Sequence, residues 1–493
     1  MMDQQLSTRR ARGGAAQPDL AGPLPLAVDL DGTLLATDTL HEGLVAALLR
    51  QPWALPGILA VLPRGRAAFK REVSRIAPCQ AGSLPLRWGF LEWLRSQRAA
   101  GRELHLVTAA DQSVADAVAQ QLGLFASATG SDGGRNLAGI HKAEFLRKRF
   151  PGGFAYAGDS RHDVPVFAAA QEVVLVAAPA DVVAAARHLH PEPLAEFPRE
   201  TAGPGTWLRA MRLHQWSKNA LLLVPLLLAH RFTDLDAVLA CLAGMLALGL
   251  IASGTYLLND LADLASDRAH RQKRARPIAA GRIRPLHALA GAVLLLLLGL
   301  GGAALLGLSV LLGGLAYIAV SLAYSARLKR VPLLDTLIIA GLFTLRLALG
   351  VELAAVPYSP WLMGFAGFFF LSLALAKRHG ELVEARDGPP GTLTRRGWEP
   401  GDWPLTLAFG AASAMAALQI MLLYVADEVQ PSLLYARPGL LYVAPPLLAV
   451  WLARIWLLAH RKELREDPVV FALRDPWSWL LGAAIAGALL LAL

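Results

Sequence analysis

From about Leu208 to the C-terminus the chain carries one apolar run of roughly 20 residues after another, each long enough to cross a ~30 Å hydrocarbon core. The first 190 residues or so carry none and read as a soluble α/β protein. The 55% of the 493 residues that are hydrophobic are therefore unevenly spread. The expected fold has two parts: an α/β, Rossmann-like domain, then an all-α polytopic membrane domain. About nine spans are expected, near 208–228, 236–258, 285–304, 306–325, 332–351, 360–377, 404–425, 438–459 and 477–493.

Charge placement tests this count. Alternate connections hold Arg209, Arg212 and Lys218; Arg268, Arg271, Lys273, Arg274, Arg276, Arg282 and Arg284; Arg327, Lys329 and Arg330; Lys377, Arg378, Arg386, Arg395 and Arg396; and Arg461, Lys462 and Arg465. The others hold only Arg231 and Arg437. Lysine and arginine favour the cytoplasmic ends of spans. The N-terminal domain is thus expected in the cytoplasm and the C-terminus outside, in a multi-pass protein of an inner or plasma membrane.

Residues 1–23 contain arginines with no apolar stretch behind them and read as a disordered tail. The α/β domain is expected over 24–189, a Pro- and Gly-rich linker over 190–206, and the membrane domain over 207–493. Cys79 and Cys241, one in each part, give no disulfide framework. The net charge of +9 is accounted for by the membrane-facing loops, so nucleic acid is not an expected partner. Oligomeric state is left open.

Within the first domain, "PLAVDLDGTLL" is an apolar strand running into Asp29, Asp31 and a glycine. "LHLVTAA" is a strand ending at Thr108, "GIHKAEFL" brings Lys142, and "FAYAGDSRHD" is a strand ending at Asp159 with Asp163 behind it. Strands that end in polar residues, with helices between, imply a parallel sheet whose ligand site lies at its carboxyl edge. Residues 38–85 form a small helical cap. Its apolar "WALPGILAVL" is expected to pack against the sheet, with bilayer contact as the other reading.

These four pieces, in this order over some 135 residues, resemble the haloacid dehalogenase phosphatase superfamily. The resemblance implies that Asp29 is the nucleophile forming an aspartyl-phosphate and that Asp31 protonates the leaving alcohol. Thr108 and Lys142 would hold phosphoryl oxygens, and Mg2+ would be bound among Asp29, Asp31, Asp159 and Asp163. A carboxylate can attack a phosphate monoester only if cations offset the repulsion between two anions. Hard oxygen donors in this number suit Mg2+.

In the second domain, "NDLADLASDRAHRQKRARPIAAG" follows the second apolar run directly. On a continuous helix Asn259, Asp260, Asp263 and Asp267 would line one face. Like charges on one face repel, so a cation is expected between them. A pyrophosphate on Mg2+ would supply it, with Lys273 and Arg276 clamping the outer oxygens. A positive-inside loop explains the basic residues but not the aspartate spacing.

N-D-x-x-D-x-x-x-D followed by RPIAAG resembles the UbiA superfamily of intramembrane prenyltransferases. "AYSARLKRVPLLD" supplies that family's second region, with Tyr324, Lys329, Arg330 and the substrate-side Asp335. The family usually carries a second pair of aspartates spaced by four, but Ile339 stands in that place here. "HQWSKN" (214–219), "LAKRHGEL" with Lys377, Arg378 and Glu381, and an intramembrane Arg346 are similar to the polyprenyl-phosphate phosphoribosyltransferases. An arginine within a span is costly and hence a functional candidate. In that branch the donor is phosphoribosyl pyrophosphate and the acceptor a polyprenyl phosphate. Lys329, Arg330, Arg346, Lys377 and Arg378 would meet the phosphates.

One Mg2+ is thus expected in each domain. The two halves together imply transfer of phosphoribose to the lipid, then removal of its 5-phosphate. The rival keeps the membrane fold but moves a polyprenyl group from its diphosphate to an aromatic acceptor, with a regulatory or separately acting first domain.

Overall fold

The computed structural model describes residues 23–199, 202–387, 397–430, 435–464 and 467–493, so the expected disordered tail lies outside the described residues but for its last position. The chain divides into two compact units, Met1–Thr201 with Leu264–Leu286, and Ala202–Asp263 with His287–Leu493. The sequence placed Leu264–Leu286 with the membrane domain; it groups with the first unit instead. Two contacts hold it there. Arg268 donates through both terminal nitrogens to the carboxylate of Glu42, at 2.9 and 2.5 Å, and both side chains are mostly buried. Gly281, at φ +73°, lies so close to the chain that a Cβ would come within 2.7 Å of the Ala36 carbonyl oxygen.

The first unit is built on six strands: β1 (Leu26–Val28), β2 (Leu104–Asp111), β3 (Ser127–Ser131), β4 (Ala155–Gly158), β5 (Glu172–Val176) and β6 (Ala195–Phe197). They pair in the order β3-β2-β1-β4-β5-β6, all parallel. β1 and β4 are buried along their whole length, the pattern of strands covered on both faces. Strand order reverses between them, which opens a crevice at their carboxyl ends. Asp29 follows β1 and Asp159 follows β4, so the topology alone sets these two carboxylates at the crevice.

β6 falls inside the stretch read as a linker. Pro191, Pro193 and Pro198 flank the three strand residues without interrupting them, and an edge strand tolerates proline beside it. The cap also differs from expectation. Pro52 and Pro56 open short helical turns, and the helix pair Thr39–Arg50 and Pro52–Arg64 is bent by 116°. A helix as short as Leu55–Ala60 buries one side only: Ile58 packs with Ala47 and Val73 in the cap's own core rather than on the sheet. Trp53, Leu59 and Leu62 remain exposed.

The second unit is helical. Among the described residues seven helices of the chain are long and apolar enough to cross a membrane, from Leu235–Ala262 to Pro438–His460. The chain is a multi-pass membrane protein. Asp234 starts the first of these helices by accepting from the backbone amides of Asp236 and Ala237. The expected span at 208–228 is instead broken into Pro204–Ala210, a 3-10 segment Leu213–Leu222 and the short helix Leu223–Leu228. Arg212, at φ +54°, turns the chain out of helix after the first piece, and Pro225, with no N–H to give to the turn before it, falls in the first turn of the third. The expected last span is the 17-residue helix Pro476–Ala492, shorter than the other seven. Small residues let the helices approach closely: a Cβ at Gly410 would sit 1.9 Å from the Trp456 ring, and one at Gly350 would sit 2.4 Å from the Leu222 carbonyl oxygen.

Candidate active sites

In the first unit, the residues predicted from separate motifs converge. Lys142 Nζ donates to Asp29 at 2.8 Å and lies 3.4 Å from an Asp163 oxygen. It also donates to the Tyr156 hydroxyl at 2.8 Å, and that hydroxyl donates to Asp163 at 2.5 Å. Ser160 holds the other Asp163 oxygen through its amide at 3.0 Å and its hydroxyl at 2.7 Å, a reciprocal turn that fixes the carboxylate behind the site. Thr33 donates to Asp159 at 3.1 Å. Gly32, at φ +83°, leaves space that only glycine can leave, because a Cβ would come within 2.2 Å of an Asp159 oxygen.

Asp29, Asp159 and Asp163 each offer a carboxylate oxygen, all within 4.8 Å of one another, and all three are buried. Burial, with Asp163 next, pushes the Asp159 carboxyl well above the usual range. Burial likewise raises Asp29 to about 6, even though Lys142 opposes the shift. Carboxylates made this uncomfortable by desolvation and by one another are a site for a hard divalent cation, and Mg2+ fits the donor set. Asp31, expected among the ligands, stands outside that group. The Thr39 amide donates to one of its oxygens at 2.8 Å and the Thr39 hydroxyl to the other at 3.1 Å. Burial, followed by the Asp38 charge, raises its carboxyl to about 7, which suits a proton donor.

These groups open onto a cavity of about 630 Å3. Thr108 is buried on β2, and its hydroxyl accepts from the Ala110 amide at 3.1 Å; the cavity wall there is Ala109. Sequence reasoning missed Tyr156, which links Lys142 to Asp163, and Lys70 of the cap. Lys70 donates to the Ala109 carbonyl at 2.6 Å and to Asn136 at 3.2 Å, and burial lowers its pKa. "AYAGD" places Tyr156 in the strand that leads into Asp159, the one available signal.

In the second unit, the helix carrying Asn259 and Asp260 ends at Ala262, and Asp263 turns out of it at φ −91° and ψ 7°. Asp267 belongs to a separate short helix, Leu264–Ala269, so the four residues do not share one continuous helical face as expected. The carboxyl end of a helix carries partial negative charge, which is a poor place for aspartates without cations. Each is met by one. Arg212 donates to the buried Asp260, Lys329 to Asp263 at 3.3 Å, and, in the first unit's segment, Arg276 to Asp267 at 2.6 Å. Asn259 is half-buried beside Asp260. Oxygen donors of this kind suit Mg2+.

Other predicted phosphate ligands prove to be engaged elsewhere. Arg378 is buried and pairs with Asp335 at 2.8 Å and with Glu381. Asp335 also accepts from the Trp398 indole at 3.0 Å. A buried guanidinium needs a counter-charge, so Arg378 and Asp335 serve each other here rather than facing a ligand. Arg346 donates to Asn219 at 3.1 Å, to the Leu342 carbonyl at 2.6 Å and to the Tyr317 hydroxyl at 3.3 Å, which accounts for an arginine at this depth. Lys377 lies 3.9 Å from Asp467, which also accepts from Lys218 at 2.9 Å. No sequence pattern assigns chemistry to Asp467, which sits in a short connection far from both lysines in the chain. Tyr324 is half-buried at the end of its helix, while Lys273 and Arg330 are exposed.

A model of the UbiA prenyltransferase family matches residues 220–491, more than half of the chain. The chain belongs to the UbiA prenyltransferase family. A model of haloacid dehalogenase-like hydrolases matches residues 26–168, and the α/β unit with its aspartate cluster is that domain. This UbiA chain is 47% identical over 470 residues to the uncharacterized protein y4nM of Sinorhizobium fredii, an alignment covering 95% of this chain and 91% of that one. It is 34% identical over 289 residues to nodulation protein NoeC of Azorhizobium caulinodans, covering 57% of this chain and 91% of that one. Over the UbiA part it is 34% identical across 202 residues to decaprenyl-phosphate phosphoribosyltransferase of Mycolicibacterium smegmatis, covering 38% of this chain and 62% of that one. The chain is a UbiA-type transferase with a haloacid dehalogenase-type hydrolase domain.

Proposed function

We propose that the membrane unit transfers phosphoribose from phosphoribosyl pyrophosphate to a polyprenyl phosphate and that the first unit then removes the 5-phosphate of the lipid-linked product. The observation that carries this reading is the Asp335–Arg378 pair. Where a second aspartate pair would help ionise a prenyl diphosphate, Ile339 stands in the partner position and Asp335 is already neutralised by a buried guanidinium. The partial likeness to decaprenyl-phosphate phosphoribosyltransferases supports the same donor.

In the transfer step, an oxygen of the lipid phosphate attacks the ribose anomeric carbon while the bond to pyrophosphate breaks and pyrophosphate leaves with the electron pair. The attacking group is already anionic, so no strong base is required. Asn259, Asp260, Asp263 and Asp267 would hold Mg2+, which neutralises charge building on the leaving group. Arg212 and Lys329, which pair with Asp260 and Asp263, would turn towards the pyrophosphate oxygens, with Arg330 next to Lys329 in sequence.

In the hydrolytic step, Asp29 attacks phosphorus, Asp31 gives its proton to the departing sugar oxygen, and water then releases phosphate from Asp29. Lys142 holds Asp29 and offsets the charge of the incoming phosphoryl group, and Asp159 and Asp163 with Asp29 would hold the second Mg2+. We also place the first unit in the cytoplasm and the C-terminus outside, following the charge asymmetry of the connections.

The test offers membranes containing the protein either labelled phosphoribosyl pyrophosphate with polyprenyl phosphate, or labelled polyprenyl diphosphate with an aromatic acid. Label is expected in lipid from the first pair, and incorporation only from the second would reject this donor. Asp29→Asn is expected to leave transfer intact and to accumulate the phosphorylated lipid; a product without phosphate in that variant would separate the two steps.

A further inference from the structure

The cavity of the first unit holds more positive charge than one phosphoryl group requires. Lys142 faces Asp29, and the aspartate cluster suits a divalent cation, which together meet a monoester. Arg66 and Lys70 of the cap also line the cavity, one helical turn apart on the helix Arg66–Ile76, and so does Arg284. Lys70 is anchored to Ala109 and Asn136. Among the described residues neither Arg66, which is exposed, nor Arg284 makes a hydrogen bond or a salt bridge, and the charge of Arg284 acts on Asp159. Arg284 is half-buried and comes from Leu264–Leu286, far beyond the residues that match the hydrolase family.

A guanidinium is the side chain best shaped to take two oxygens of a phosphate at once. We propose that Arg284 and Arg66 form a second anion subsite in this cavity, so that the hydrolase acts on sugar phosphates bearing a second phosphate away from the scissile one. The subsite deepens the reading above, in which the lipid-linked product carries both a 5-phosphate and a phosphodiester. It selects substrates by the charge they carry beside the scissile phosphate.

Kinetics on the purified full-length protein in detergent with magnesium test this, using ribose 1,5-bisphosphate and p-nitrophenyl phosphate as soluble probes. The wild-type protein is expected to favour the bisphosphate in kcat/KM. Arg284→Ala and Arg66→Ala are each expected to lower the ratio of the two kcat/KM values by about tenfold or more, the usual weight of a charge-assisted hydrogen bond, through KM for the bisphosphate. Arg284→Lys should retain part of the preference. No wild-type preference, an unchanged ratio in both variants, or equal loss on both probes would overturn the subsite; equal loss identifies a structural role. The outcome is independent of the lipid assay. A shifted ratio with no lipid phosphate accumulating in Asp29→Asn would keep the subsite and reject the lipid substrate, and the reverse pattern would do the opposite.

Discussion

Asp29 and Asp31 are two residues apart and share a buried crevice, yet their surroundings divide the labour between them. Asp29 faces Lys142 and the other ligating carboxylates, while Asp31 turns to Thr39 and feels Asp38. Held at about 7, Asp31 is protonated below that pH and loses its proton as pH rises through it, so turnover of alkyl phosphates should fall on the alkaline side. Asp31→Asn should cost on the order of 10^2 to 10^4 in kcat with a sugar phosphate, and much less with p-nitrophenyl phosphate, whose leaving group needs no proton. Equal loss on the two would remove Asp31 from the acid role. Asp29, Asp31, Lys142, Asp159 and Asp163 were legible because strand ends and chemistry announce them in order. Tyr156, Lys70 and Arg284 were not, since each reaches the crevice from a segment whose local pattern says only strand, cap helix or basic loop.

Helices in the second unit show what periodicity reveals and what it hides. Long apolar runs announce the seven long helices directly, but the left-handed turn at Arg212 and Pro225 after it divide a run that hydropathy alone reads as continuous. β6 was hidden for the opposite reason, three strand residues among prolines. Nor does hydropathy say which faces meet. The helix Trp403–Tyr424 lays Gly410 against Trp456 of the helix Ala444–His460. Gly410→Ala would push a methyl group into that ring and should destabilise the unit by about 1–3 kcal/mol, as overpacking of a filled core does. Thermal unfolding in detergent would measure it. Gly482, with no neighbour within 4 Å of an added Cβ, is the control, and Gly482→Ala should leave the transition in place.

Across the whole molecule, the nine crossings expected from the sequence, an odd number, would set the two ends of the chain on opposite sides of the membrane. A reporter active only outside the cytoplasm should work when fused after Leu493 and fail at the N-terminus, and activity at both ends would call for a different count. The segment Leu264–Leu286 bears on something else, the heredity of the pair. Leu264–Leu286, with Arg284 and the Arg268 partner of Glu42, packs with the first unit yet lies within the stretch that matches the UbiA family. Recombination that severed the reading frame near codon 201 would part the first unit from those arginines, so if the proposed subsite holds, fission of the gene should be disfavoured.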